Sequence, residues 1–387
     1  MLSLDAPIYL DNNATTRCDP AVVAAMLPFF SEWYGNAATG LHPQGRKAAR
    51  AIDVAREQTA VLLNARPEEI IFTSGATESN NLAILGLGRK AAEGQRKRIV
   101  TTAVEHKAVL EPCHALTYLD YEVIVLPVDN AGRVSLTAAQ SAINENTLLV
   151  TVQAANNEIG TLQPVSQISE LAHSVGALVH CDAAQAVGKI PVDVLTWDVD
   201  LLSLSAHKFY GPKGIGALYI RNGPRSIPLE PLVYGGGQER AVRSGTSNVS
   251  GIVGLGAAAQ LCITLLPEEG QRIGAMRADI ESQLVTEIPD AWVNGASAER
   301  LPNTISLTLP GVEVDALLLN LPEIMMGVGS ACSTGALDPS HVLQATGLNR
   351  STAGSTIRLS LGRFNSEKEI SLTVTKLLQT IDGFKTK

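Results

Sequence analysis

The stretch Leu201-Leu-Ser-Leu-Ser-Ala-His-Lys208 ends an apolar, strand-like run on a histidine and a lysine, and Phe209-Tyr-Gly-Pro-Lys-Gly214 turns the chain into a second apolar run, Ile215–Ile220. A lysine at the end of a core strand is costly, because its ammonium loses hydration there. Desolvation favours the neutral amine, which attacks carbonyls and forms Schiff bases. The simpler reading is a lysine whose stem lies along the strand while its head reaches water. Upstream, Thr73-Ser-Gly-Ala-Thr-Glu-Ser-Asn80 joins a strand end to a helix starting near Thr77. Backbone N–H groups and the helix dipole there make an anion site, and Gly75 lets the backbone come close. The same residues also read as a capping box of Ser74 or Thr77 with Glu78. Asp182, which closes Val179-His-Cys-Asp182, either caps the next turn or pairs with the protonated nitrogen of a pyridine ring and makes that ring a better electron sink. His106 and Asn157 end two more strand-like segments. An anion cradle, a partner for a ring nitrogen and an amine for a Schiff base, all at strand ends of one sheet, point to pyridoxal 5'-phosphate.

The surrounding pattern accounts for why these residues meet. From Glu69 to Arg221, seven short apolar runs (Ile70–Thr73, Arg98–Ala103, Val123–Val128, Leu148–Val152, Ala177–Cys181, Leu201–Leu204, Ile215–Ile220) alternate with amphipathic segments such as Ser79–Glu93, Leu136–Glu145 and Val165–Val175. That alternation predicts a mainly parallel sheet covered by helices, an α/β fold whose ligands bind beyond the carboxyl ends of the strands. Before it come an N-terminal arm, a helix over Pro20 to about Trp33, a polar loop over Gly35–Pro43 and a helix over Gln44–Asn64. After it, a Gly/Ala-rich helix around Ser250–Leu266 bridges to strands at Trp292–Asn294, Asn303–Leu309 and Ser355–Leu361 and helices at Val314–Leu321 and Glu367–Phe384, a smaller α+β domain. The expected division is an arm over 1–16, a large domain over 17–255 and a small domain over 256–387.

The 387 residues carry a formal charge of -8, which argues against nucleic-acid binding. The mean hydropathy is +0.13. No uninterrupted apolar run reaches the roughly 18 residues of a membrane span, and no signal pattern opens the chain, so a cytoplasmic location is expected. The five cysteines (18, 113, 181, 262, 332) form no CxxC pair, so neither a disulfide framework nor a metal site is expected. Cys332 stands apart. It lies in Met325-Met-Gly-Val-Gly-Ser-Ala-Cys-Ser-Thr-Gly335, where glycines at 327, 329 and 335 would let a loop over about 325–337 move, as suits a partly exposed nucleophilic thiol more than a buried structural cysteine.

These motifs, together with Leu10-Asp-Asn-Asn-Ala-Thr-Thr16, Gly35-Asn36, Glu105-His-Lys107, Asn156-Asn-Glu-Ile-Gly160, Arg243-Ser-Gly-Thr246 and Ile357-Arg358, resemble the NifS/IscS-type cysteine desulfurases of the fold-type I, class V aminotransferase group over nearly the whole chain. The resemblance implies an aspartate aminotransferase-like large domain, an arm packed on the small domain, and a homodimer. It implies that Lys208 holds the cofactor, Asp182 faces its ring nitrogen, Asn157 and Gln185 contact its ring oxygen and His106 stacks on it and moves protons. Ala76, Thr77, Ser205 and His207 would hold the phosphate, joined by Thr246 of the neighbouring subunit. Arg358, with Asn36, would clamp the substrate carboxylate, though alone it reads as a solvated strand-edge arginine. The implied reaction takes L-cysteine to L-alanine: Lys208 removes the α-proton, and the Cys332 thiolate takes the sulfur as a persulfide for an acceptor such as an iron–sulfur scaffold protein. The alternatives are a cysteine or cystine carbon–sulfur lyase giving pyruvate, ammonia and sulfide, a selenocysteine lyase, a plain aminotransferase, and a non-catalytic partner that keeps the fold. In Ser333-Thr334 the chain departs from the Thr-Ser of many relatives.

Overall fold

The structure is a computed structural model that describes residues 7–328 and 340–385. Its strands are β1 (Ile8–Leu10), β2 (Ile70–Thr73), β3 (Arg98–Thr102), β4 (Glu122–Leu126), β5 (Thr147–Gln153), β6 (Leu178–Asp182), β7 (Leu201–Ser205), β8 (Gly216–Ile220), β9 (Trp292–Val293), β10 (Thr304–Thr308), β11 (Ile324–Val328) and β12 (Thr356–Ser360). Seven form one sheet in the order β2-β8-β7-β6-β5-β3-β4, parallel except for β8, which runs antiparallel to both neighbours. These are the seven apolar runs of the sequence. Every residue of β2, β7 and β8 is buried, as a sheet covered on both faces requires. At its edge, Glu239 Oε2 accepts from the Phe72 N–H (2.9 Å) while Arg56 and Arg240 donate to the Ile70 carbonyl (2.7 and 3.0 Å), so side chains occupy the main-chain groups that would otherwise recruit another strand.

A second sheet has the order β1-β11-β12-β10-β9 and is antiparallel apart from the β1–β11 pair. One helix joins the two sheets. Expected over 250–266, it runs from Val249 to Glu287, straight through Pro267. Its first half buries Ile252, Leu255, Ala258 and Cys262 in the core beside the seven-stranded sheet. Its second half buries Ile273, Met276, Ile280 and Leu284 against the five-stranded sheet. By length and composition it is apolar enough to cross a membrane, although no single uninterrupted run signalled this; here many of its apolar positions are taken up by these two cores.

Several local expectations change. Pro28 divides the segment after Pro20 into two helices, Pro20–Met26 and Pro28–Ser31, because it supplies no N–H to the preceding turn. The helix placed near Thr77 starts at Ala76 and passes through a wide turn at Leu82–Gly86. A helix at Lys107–Leu116 and the strand β11 were not read from the pattern. The latter corrects the loop over 325–337: residues 325–328 are strand, and the remainder, Cys332 included, lies outside the described residues. Gly327 is therefore not a loop hinge. A Cβ there would lie 2.8 Å from Arg358 Nη2, so the missing side chain is what admits the guanidinium.

Gly216, at the start of β8, meets the strand-to-helix turn at Gly75, whose φ of +153° favours glycine. A Cβ at Gly216 would fall 2.5 Å from the Leu204 carbonyl oxygen and 2.6 Å from Gly75 Cα. Gly216→Ala is expected to cost about 1–3 kcal/mol through overpacking against main chain that cannot rotate away. A denaturation midpoint equal to that of the parent protein would show that the turn tolerates displacement.

Candidate active site

Parallel strands deliver their C-terminal residues to one end of the sheet, and a cavity of about 480 Å³ opens there. Ala76, Thr77, His106, Asn157, Asp182, Gln185, Ser205, His207 and Lys208 all line it, together with Asn80, Gln153, Lys213 and others. Three expected residues do not. Asn36 is exposed and closes its own turn by accepting from the Ala38 N–H (2.9 Å), and Thr246 is exposed elsewhere on the surface. Arg358 is no solvated edge residue: it is 4% exposed on β12, between β10 and β11. Its Nη2 donates to Asp11 (2.6 Å) and its Nη1 to the Asn157 carbonyl (3.1 Å), while Nε is buried with no partner among the described residues.

Lys208 sits in a single 3₁₀ turn, Ala206–Lys208, immediately after β7. Its Nζ donates to the carbonyls of Asn13 (2.5 Å) and Ala14 (2.9 Å), so it is drawn toward the arm and away from bulk water. Asp182 ends β6 beside Ser203 of β7 and Gln153 of β5. The Asp182 carboxylate is a local cap and also faces the cavity wall. Oδ1 accepts from the Ala184 N–H (3.0 Å) as a local cap, and Oδ2 accepts from Asn80 Nδ2 (2.7 Å) within the cavity wall. At the 75–77 turn the capping box is only half made. Glu78 accepts from the Ser74 N–H (2.8 Å) and pairs with Arg243 (2.8 Å), but no side chain caps the first helical turn at Gly75. Gly75, Ala76 and Thr77 of that turn line the cavity together with Ser205 and His207.

Electrostatics follow from burial. His106 Nδ1 accepts from the Ala108 N–H (3.0 Å), which leaves Nε2 as the protonated nitrogen of a neutral ring. Burial against the cavity walls lowers its pKa, Asp182 opposes that, and Lys208 adds to it. Burial and then the lysines 208, 213 and 189 push His207 down to about 4, so it faces the cavity as a neutral ring. Burial likewise holds His180 at about 4, between Thr151 Oγ1 and Ser203 Oγ. It raises the thiols of Cys113 and Cys181, which are small buried hydrophobes.

Several participants escaped the sequence reading. Asn80 lay at the end of a motif read for its anion cradle, and nothing local pairs it with Asp182. Asn13, Lys189 and Glu105 carry no such signal either; their neighbours are brought to them by the fold. Glu105 is fully buried, with Oε1 accepting from Thr102 Oγ1 (2.7 Å) and the Gln153 N–H (3.0 Å) and Oε2 without a partner among the described residues. Burial, with a further push from Asp182, raises its pKa to about 8.

A carboxyl that holds its proton to about 8 when folded but releases it in the ordinary range when unfolded costs stability as pH rises through that window, and by no more above it. Glu105→Gln removes this dependence and adds a constant cost for its buried amide. Denaturation of the cofactor-free protein from pH 5 to 9 is expected to show the variant gaining on the parent by up to about 1.4 kcal/mol per pH unit to about pH 8, then levelling. A constant difference would mean that Glu105 is ionised in the fold.

The comparisons with known proteins agree with this geometry. The family described as Aminotransferase class-V matches residues 8–372. The chain is 44% identical over 368 residues to a cysteine desulfurase IscS of Anaeromyxobacter dehalogenans (strain 2CP-C), covering 95% of this chain and 91% of that protein. It is 43% identical over 375 residues to a cysteine desulfurase of Homo sapiens, covering 97% and 82% respectively. Among solved structures, a NifS-like protein superimposes with a TM-score of 0.90 at 38% identity, covering 97% of this chain and 99% of the other. SspA, solved in complex with cysteine, does so with a TM-score of 0.81 at 37% identity, covering 93% and 100%. The chain belongs to the class-V aminotransferase family and, within it, to the NifS/IscS-like cysteine desulfurase group.

Proposed function

We propose that this protein is a pyridoxal-phosphate-dependent cysteine desulfurase, which converts L-cysteine to L-alanine and takes the sulfur as a persulfide on Cys332. The observation that carries this reading is one cavity holding Lys208 and Asp182 at the ends of neighbouring strands and an uncapped turn at 75–77. A carboxylate, an amine and a cluster of N–H and O–H donors are the three groups that a pyridinium, a carbonyl and a phosphate need. Cys332 itself lies outside the described residues, and its role rests on the resemblance of its motif.

When bound, the cofactor supplies a carbonyl that condenses with amines and a ring that accepts electrons. The remaining work falls to this chain. Asp182 would keep the ring nitrogen protonated. The Ala76 and Thr77 N–H groups, with Thr77, Ser205 and His207 side chains, would hold the phosphate, and Asn157 and Gln185 the ring oxygen. His106 would lie on the ring. Lys208, held by two carbonyls, would anchor the cofactor and then remove the substrate α-proton. Arg358 and Asn36 lie off this chain's cavity wall, and the resemblance alone supports them as the clamp for the substrate carboxylate; Arg358 Nε is the guanidinium nitrogen without a partner among the described residues. The Cys332 thiolate attacks the substrate sulfur. A new S–S bond forms, the C–S bond breaks, and its electron pair stays with the substrate carbon, which takes up a proton to become the methyl group of alanine.

The wider reading is a cytoplasmic homodimer that passes sulfur to an acceptor such as an iron–sulfur scaffold, divided into an arm at 1–16 and domains at 17–255 and 256–387. Separate apolar cores against the two sheets support two domains, although Ala258, Cys262 and Leu301 pack with the first core. Exposed Phe30, Tyr34 and Leu41 support a partner surface, as does Thr246, which lies off its own chain's cavity. Sedimentation as a fully active monomer would contradict the dimer.

With L-cysteine and a thiol reductant, alanine and sulfide are expected in equal amounts, and Cys332→Ala is expected to lower both by at least about 100-fold. Pyruvate with sulfide, insensitive to that substitution, would make the protein a lyase. Lys208→Ala is expected to abolish the attachment of cofactor that borohydride makes permanent in the parent protein. A pyridoxyl adduct persisting in that variant would overturn the assignment of Lys208.

A further inference from the structure

Behind the cavity wall lies a second lysine that the reaction does not call on. Lys189 Nζ donates to Gln185 Oε1 (2.5 Å) and to Asn13 Oδ1 (3.0 Å), and Lys189 is not among the residues that line the cavity, whereas Gln185 is. We propose that Lys189 is a positioning residue: it fixes the side-chain amide of Gln185 so that an N–H, and not the carbonyl oxygen, is turned to the cavity. The inference rests on the reading of that cavity as the pyridoxal phosphate site.

The orientation of both amides is over-determined by groups that have only one role. Asn13 Nδ2 faces the Asn157 carbonyl (3.0 Å), which only accepts, so Asn13 Oδ1 must be the atom facing Lys189. Gln185 Nε2 faces the Asn13 carbonyl (2.9 Å), which also only accepts, and Gln185 Oε1 faces an amine that donates. Gln185 thus has its oxygen occupied from behind and one N–H of Nε2 unspent. A ring oxygen carrying negative charge is held by an N–H and repelled by an amide oxygen, so the sign of the contact depends on this choice. The arrangement does not need a charged lysine. Burial, then Lys208 and Arg358, push the Lys189 pKa well below its ordinary value, and a neutral amine still has two N–H groups for these two oxygens.

The test is a double-mutant cycle on cofactor binding by the otherwise intact chain. Cofactor-free parent, Lys189→Met, Gln185→Ala and the double variant are titrated with pyridoxal phosphate, and the dissociation constant and absorption maximum of the bound cofactor are read, with urea midpoints of the cofactor-free proteins beside them. Lys189→Met is expected to weaken binding about tenfold and move the absorption maximum, and in the Gln185→Ala background to change neither. An unchanged dissociation constant and maximum in Lys189→Met, or a loss that adds in full to that of Gln185→Ala, overturns the proposal. Should Lys189→Met fail to fold, Lys189→Gln, which replaces the amine by a shorter, uncharged amide, runs the same cycle with the same criterion of coupling to Gln185. A parent chain that binds no pyridoxal phosphate overturns the underlying reading of the cavity, and with it this inference.

Discussion

The carbonyl of Asn13 accepts from Lys208 Nζ (2.5 Å) and Gln185 Nε2 (2.9 Å), while its side chain takes Lys189 and Asn303 on Oδ1 and gives Nδ2 to Thr304 and the Asn157 carbonyl. Its N–H donates to Ser360 Oγ (2.9 Å). Asn13 is 1% exposed, so each of these groups would be costly if left unmet. Lys208, Gln185 and Lys189 belong to the seven-stranded sheet and its loops, whereas Thr304 and Ser360 lie on strands of the other. The cavity therefore has its shape only when the arm is in place between the two sheets.

That constraint propagates to Arg358. The arm continues back through Asp11, whose carboxylate takes the guanidinium, and into β1, which adds to the five-stranded sheet beside β11. Gly327 on β11 leaves the space in which this pair sits. A buried guanidinium without a partner is expensive, and here the partner arrives on a segment that also holds the site lysine. The proposed carboxylate clamp and the proposed cofactor anchor are thus spaced by one run of four residues, Asp11–Ala14.

Around Asp182 the neighbouring titratable groups are held neutral by burial. Glu105 keeps its proton to about 8, His180 loses its own above about 4, and the Cys181 thiol stays protonated. Among the described residues the polar contacts that reach the Asp182 carboxylate come from Asn80 and a main-chain N–H, so a cationic ring at that end of the cavity would find no competing cation bonded to it there.

The sequence by itself determined the large sheet and most of its helices and, through the resemblance its motifs carry, nine of the residues that line one cavity. Strand identity follows from short-range apolar runs, and in a parallel sheet every strand end comes to the same side, so Lys208, Asp182, His106 and Asn157 needed only their place at a run's end to be brought together. Only the tertiary structure decided what those residues touch. Asn80 on Asp182, Asn13 under Lys208, Asp11 on Arg358 and Lys189 behind Gln185 are choices of partner rather than of period. The last is a four-residue spacing, but the turns that bring the two side chains together lie outside any regular helix. The same holds for the helix that ran past Pro267 and the glycine at 327, where packing against distant chain overrode what composition alone would favour. Local propensity is a property of neighbours in sequence, whereas the satisfaction of a buried polar group is a property of neighbours in space, and that difference divides what could be read from what had to be seen.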